Sequence, residues 1–303
     1  MENGFKQYID NYLHDISPLS PLPTDAEERW ERIGNIRAVL FDIYGTLVIS
    51  GTGDIDACEY SPSKTVKSLN EAGISVEEDP DGSAGRAIIE LYREEISQRH
   101  ERAHTQGIAF PEIDVRDVWE QVVRRSRKRG LADFGNEPDY RKVAFSFEMM
   151  NNHVYPMPGM KDVITRLSGE DIRLGMISNS QFFSPVIVNY FLTRNVDLSL
   201  RITLFDPALC VYSFEERRGK PDVYLYEKAA SGLAEYGIRP GEALFVGNDM
   251  LNDIYPAQQA GFRTVLFAGD RRSLRMRRDH PELRGLAPDA VITDLSRIPE
   301  IAG

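Results

Sequence analysis

The chain has 303 residues, of which 42% are hydrophobic and 27% charged, with a formal net charge of −11. That balance is ordinary for a globular protein with room for a large core plus an insertion or second domain, and the negative charge argues against nucleic acid or an anionic membrane as partner. Cys58 and Cys210 match no zinc or redox spacing, no apolar run reaches membrane-spanning length, and the polar start Met1–Asp15 is unlike a signal peptide, so a soluble cytoplasmic protein is expected.

Residues 1–35 read as an N-terminal extension. Tyr8, Tyr12 and Leu13 would line one side of a short helix, the Ser17–Pro23 stretch is rich in turn residues, and Thr24 would cap a second helix through Ala26–Trp30. The extension would pack on the core or make a homodimer contact; the sequence does not choose. Next comes Ala38-Val39-Leu40-Phe41, an apolar run that reads as a buried parallel strand ending on Asp42. Gly45 permits a sharp exit from it. Alone, this is a strand closed by an ordinary turn.

Residues 54–153 read as almost entirely helical, with one long helix beginning near Ala87, another over Val115–Lys128 and a third over Tyr140–Asn151. Strand and helix then alternate. Helices are expected over Met160–Leu167, Val186–Leu192 and Val223–Tyr236, and another after Asp249. Strands are expected over Ile172–Ile177, near Cys210–Tyr212, and over Ala243–Val246, Thr264–Phe267 and Ala290–Ile292. Such alternation implies an α/β fold, a doubly wound parallel sheet with helices on both faces. The core would comprise residues 36–53 and 154–303, with an all-helical cap domain, 54–153, inserted after the first strand.

In such a sheet the carboxyl ends of the strands share one edge, where ligands bind. Four segments bring polar groups there: Asp42, Ser178 with Asn179, Lys220, and Asp249 with Asp253. Each has a plain explanation when taken singly. Ser178-Asn179 would cap a helix, Lys220 is one of 36 basic residues, and Asp249 and Asp253 would favour a helix N-terminus. Together they supply a nucleophile, hydrogen-bond donors, a cation and an acid pair.

The ordered set Phe41-Asp42-Ile43-Tyr44-Gly45-Thr46, Ser178-Asn179, Lys220-Pro221 and Gly247-Asn248-Asp249-Met250-Leu251-Asn252-Asp253 resembles the four motifs of the haloacid dehalogenase superfamily. The resemblance covers residues 36–303 and implies a Rossmann-like hydrolase core acting on a small anionic substrate. Asp42 would be a covalent nucleophile, kept ionised by Lys220. Thr46, Ser178 and Asn179 would contact substrate oxygens. Magnesium would bind Asp42, the backbone carbonyl of Tyr44 and Asp249, with Asp253 close by, since hard oxygen ligands suit that ion.

Tyr44 departs from the phosphatases of the superfamily, which place an acid there to protonate the leaving group; tyrosine, with an unperturbed pKa of about 10, is a poor substitute. Dehalogenases resemble this chain at Tyr44 and release a halide that needs no proton. They usually have serine where this chain has Asp249, however, and use a cap arginine within a Trp-Arg segment not found here; nothing marks Arg86 or Arg93 for that role. Phosphonate hydrolases use a cap lysine, which neither Lys64 nor Lys67 matches. Asp249 therefore weighs magnesium-dependent phosphoryl hydrolysis above metal-independent dehalogenation. Without an acid at position 44, substrates would need good leaving groups or a proton donor from the cap. A binding protein that has lost turnover is the alternative of another class. His100 and His104 match a zinc-protease spacing but lie in a charged run, so a solvated helix face is expected. The arginines from Arg271 to Arg278 read as a solvated loop, with attraction of an anionic substrate or an acidic partner surface as the alternative, and Arg217 and Arg218 as surface residues that could otherwise extend the anion site.

Overall fold

The strand Ala38–Phe41 (β1) lies at the middle of the sheet because its four apolar residues are fully buried, which only a strand covered on both faces accommodates. The computed structural model describes residues 2–53, 60–76 and 81–303, so Cys58 lies outside the described residues. A short strand, Val48–Ser50 (β2), follows β1, and Val154–Pro156 (β3) pairs with it antiparallel, Val48 facing Pro156 and Ser50 facing Val154.

Beyond β3 come β4 (Arg173–Ser178), β5 (Cys210–Tyr212), β6 (Ala243–Gly247), β7 (Arg263–Phe267) and β8 (Ala290–Ile292). With β1 they make a six-stranded parallel sheet in the order β5-β4-β1-β6-β7-β8. The chain leaves β1 towards β4 and β5, then crosses to β6 on the other side of β1. That reversal opens a crevice at the carboxyl end of β1, where Asp42 stands.

Successive strand residues point to opposite faces, and the packing follows that alternation. Val39 and Phe41 join the cluster holding Met160, Val163 and Leu167 of α6 (Met160–Gly169), Val186 of α7 (Phe183–Thr193) and Ile298 and Ile301 of the C-terminal helix Ile298–Ala302. Ala38 and Leu40 join Leu225, Tyr226, Ala229 and Leu233 of the helix Tyr224–Glu235 on the other face. The expected doubly wound α/β architecture is thus present.

Among the described residues between β2 and β3 lie four helices: α2 (Pro62–Glu71), α3 (Ser83–Thr105), α4 (Val115–Lys128) and α5 (Tyr140–Asn151). Asp114 and Asp139 cap α4 and α5 through the amides of Arg116 and Arg141. Their centre is an aromatic knot in which Trp119 stands 5.0 Å from Tyr92 and 4.7 Å from Phe147. No helix of the described residues is long and apolar enough to cross a membrane.

The N-terminal segment departs from expectation. Its helix α1 (Glu2–His14) buries Phe5, Ile9 and Leu13, while Tyr8 and Tyr12 turn to α5, bonding Ser146 and the Met149 carbonyl. The expected second helix over Ala26–Trp30 is absent. This stretch is extended: Arg29 exchanges backbone hydrogen bonds of 2.9 and 2.8 Å with Val291, Thr24 Oγ1 donates to the Ala268 carbonyl and Glu28 accepts from Thr293. A charged stretch without an apolar stripe gains more by covering the exposed edge of β8 than by coiling. The residues after Asp249 also differ from a plain helix, since a π-turn over Met250–Ile254 precedes the helix Tyr255–Gln259.

Close approach of β4 to its neighbours requires Gly175: a Cβ there would stand 2.6 Å from the Leu209 Cβ and 2.8 Å from the Leu40 Cγ. Gly175→Ala is expected to lower stability by about 1–3 kcal/mol, the usual cost of overpacking, read as a lower urea midpoint. An unchanged midpoint would show that the strands separate freely.

Candidate active site

The organising group is Lys220. Its ammonium lies 2.7 Å from Asp42 Oδ1 and 2.6 Å from Asp253 Oδ1, with all three side chains buried. Ser178 Oγ donates to the same Asp42 oxygen at 2.9 Å. Asp42 Oδ2 accepts no hydrogen bond from the described residues, and Asp42 lines a cavity of about 620 Å³. The carboxylate is therefore anchored through one oxygen and open through the other.

Register explains the convergence. Asp42 follows Phe41, which is opposite Met176 of β4 and Val246 of β6, so Ser178 and Asn248 reach the same edge. Gly45 makes the turn after Asp42 possible. Its φ is +83°, and a Cβ would stand 2.4 Å from Ser273 Cβ and 2.7 Å from Asn248 Nδ2.

Asn179 accepts from the Lys220 amide at 2.7 Å, and its Nδ2 donates to the Lys220 carbonyl at 3.4 Å. It borders the cavity, but its amide holds the lysine's backbone. Likewise the Ser178 hydroxyl points to Asp42. Thr46 departs further from expectation. It is fully buried, its hydroxyl donates to Asn248 Oδ1 at 3.0 Å, and it is not among the residues lining the cavity. Packing of the motif-one turn against β6 turns it inward, so it shapes the turn.

Asp253 has both oxygens engaged. Oδ1 takes Lys220, and Oδ2 accepts from the amides of Asn248 and Asp249, each at 2.9 Å. Burial pushes its carboxyl up to about 7, with Lys220 opposing and Asp42 and Asp249 reinforcing that rise. For Lys220, burial works against the charge, but Asp253 and Asp42 outweigh it and raise the ammonium's pKa. The lysine thus stays charged at neutral pH.

Asp249 Oδ1 caps the π-turn through the amides of Leu251 and Asn252. Its Oδ2 pairs with the Arg277 guanidinium at 2.8 Å. Arg277 was not legible as a site residue, because only tertiary structure carries the loop after β7 back over Asp249. The solvated-loop reading of the arginines is corrected accordingly: Arg272 pairs with Asp270, and Arg275 borders the cavity. Arg217 pairs with Asp117 and Arg218 with Asp222, outside the site.

The tyrosine hydroxyl at position 44 lies 2.8 Å from Ser184 Oγ. Burial, the largest influence, raises its pKa well above the usual value, with Glu148 and Asp42 adding to the rise. It is a weaker proton donor than an unperturbed tyrosine. Helices α3 and α5 complete the cavity with Tyr92, Arg93, His100, His104 and Glu148. Among the described residues no three His, Cys, Asp or Glu side chains gather as a metal-binding group; His100 and His104, expected on a solvated face, border the cavity. The expected magnesium donors are oxygens of the hard kind that ion takes. Asp42 Oδ2 is open to it, whereas Asp249 would have to exchange or share Arg277. The donor set fits magnesium in chemical kind.

A family model for haloacid dehalogenase-like hydrolases matches residues 36–261. The chain belongs to that family. Glyceraldehyde 3-phosphate phosphatase of Methanothermobacter thermautotrophicus is 29% identical over 149 residues, covering 48% of this chain and 58% of that protein. The protein of the same name from Pyrococcus furiosus is 28% identical over 148 residues, covering 48% of this chain and 53% of its own length. The matches thus span about half of these curated relatives. A solved HAD phosphatase from Thermococcus onnurineus shares the fold with a TM-score of 0.50 at 20% identity, covering 88% of this chain and 98% of its own.

Lys220→Met should cost about 3–5 kcal/mol at neutral pH, because it leaves buried carboxylates facing each other without a cation. In the variant Asp253, already raised by burial, loses the opposing Lys220 charge and its folded pKa rises further above the unfolded one, so folding takes up protons and the deficit shrinks as pH falls through that interval. Denaturant unfolding across pH checks this; a pH-independent deficit would contradict it.

Proposed function

We propose that this hydrolase removes a phosphoryl group from a small anionic metabolite, with Asp42 as nucleophile and magnesium as cofactor. The observation that carries the reading is the placement of Asp42: paired with Lys220, fixed through Oδ1 and open through Oδ2 at the cavity wall. The curated relatives, both named as phosphatases of a small sugar phosphate, support the same class of substrate.

Asp42 Oδ2 would attack phosphorus, forming an acyl phosphate while the ester oxygen departs with the bonding pair. Water would then attack that phosphorus and return the carboxylate. Lys220 sets a positive charge against Asp42 Oδ1 in a buried setting where Coulomb attraction is strong. Ser178 fixes which oxygen faces the substrate. Asp253 holds Lys220 and, through the amides of Asn248 and Asp249, the turn that presents Asp249. Asp42, the Tyr44 carbonyl and Asp249 would hold magnesium, which supplies neutralising charge for phosphoryl oxygens.

Tyr44 favours a second reading, carbon–halogen hydrolysis without metal. Its raised pKa makes it a weak proton donor to a leaving group, and a halide needs none. A panel of phosphate esters, acyl phosphates and haloacids, run with and without magnesium, separates the two. Magnesium-dependent phosphate release that disappears in Asp42→Asn is expected. Magnesium-independent halide release from 2-chloropropionate, without phosphate release, would overturn the proposal.

A further inference from the structure

Phosphoryl transfer from an alkyl ester leaves an alkoxide, and the buried Tyr44 phenol, its pKa raised, is a weak donor to it at neutral pH. The cavity contains another acid. Glu148, in the last turn of α5, lines the same cavity as Asp42. Its charge is felt at the Tyr44 hydroxyl together with that of Asp42, so the phenol lies within electrostatic reach of both carboxyls.

We infer that Glu148 is the general acid of the reaction, protonating the leaving oxygen from the helical side of the cavity while Asp42 attacks from the sheet side. The inference rests on the phosphoryl reading given above.

Three observations support it. First, Glu148 is held at one end only. Asn152 Nδ2 donates to Oε1 at 3.3 Å, and Oε2 accepts no hydrogen bond from the described residues. Second, the support is itself anchored. The fully buried Asn152 accepts from Ser50 Oγ at 2.9 Å, which ties the carboxyl to β2 and hence to the strand carrying Asp42. Third, burial pushes the Glu148 carboxyl up to about 7, opposed only by the Asn152 bond. An anionic substrate would hold it protonated more firmly still, the state a proton donor needs at neutral pH.

The step balances. As Asp42 Oδ2 bonds to phosphorus, the phosphorus–oxygen ester bond breaks, and its electron pair takes the Glu148 proton to give a neutral alcohol. Water then attacks the acyl phosphate and its protons leave on the phosphate, while the Glu148 carboxylate takes a proton back from solvent. Phosphate departs, Asp42 is restored as carboxylate, and Glu148 is protonated again. The enzyme would then cleave alkyl phosphates, not only activated acyl or aryl ones.

The test is leaving-group dependence in Glu148→Gln, which keeps volume and the Asn152 contact but carries no transferable proton. Steady-state turnover of an alkyl phosphate such as glycerol phosphate should fall about 100- to 10,000-fold, the range of general acid catalysis. Turnover of p-nitrophenyl phosphate, whose leaving group needs no proton, should fall less than about tenfold, which also shows that the variant is folded. An equal loss on both substrates would reduce Glu148 to a structural role and overturn the inference. So would a wild-type enzyme that cleaves only p-nitrophenyl phosphate, although the phosphoryl reading would survive. A wild-type enzyme that cleaves neither overturns that reading and the inference with it.

Discussion

The site depends on one ammonium shared by two buried carboxylates. Lys220 touches Asp42 and Asp253 at about equal distance, and removing it would leave negative charge where water cannot screen it. The same lysine is held through its backbone by Asn179, while Asp253 grips the turn after β6. Three loops, each leaving a different strand, are thus tied through a single cation. Chemistry and stability would be coupled here, because the ion pair that anchors Asp42 also closes the sheet edge.

The parts legible in the sequence were those set by local pattern. The run Ala38–Phe41 had to be a buried central strand, and its end placed Asp42; the strand ends at Ser178 and Gly247 followed by the same logic. Parallel register then brought these ends together without further information. Helices α4 and α5 were legible to the residue, because Asp114 and Asp139 cap them and a clear apolar stripe runs along α4.

What the sequence did not disclose was decided by tertiary contact. Ala26–Trp30 carries helix-forming residues, yet the open edge of β8 recruits it as an extended segment. Thr46 sits in the motif-one turn, but the approach of that turn to Asn248 points its hydroxyl inward. Arg277 lies 28 residues from Asp249 along the chain, in a loop with no regular spacing, and nothing local announces their pairing. Glu148 is one acid on a helix, and only the closing of the cavity distinguishes it from a surface residue.

The division of labour across the cavity follows from how the two halves are built. The sheet edge, locked by Lys220 and the Asp253 network, supplies the anchored carboxylate proposed as nucleophile. The helical segment, organised around Tyr92, Trp119 and Phe147, supplies the opposite wall and its titratable side chains. The β2–β3 ribbon joins them and fixes their spacing through Ser50 and Asn152. The central claim is that Asp42 itself becomes covalently modified. Acid-quenching the enzyme during turnover, reducing with borohydride and mapping peptides tests it, because reduction converts an aspartyl phosphate to homoserine. Homoserine at position 42, absent without substrate, is the predicted result; turnover with Asp42 unmodified in every quenched sample would contradict the account.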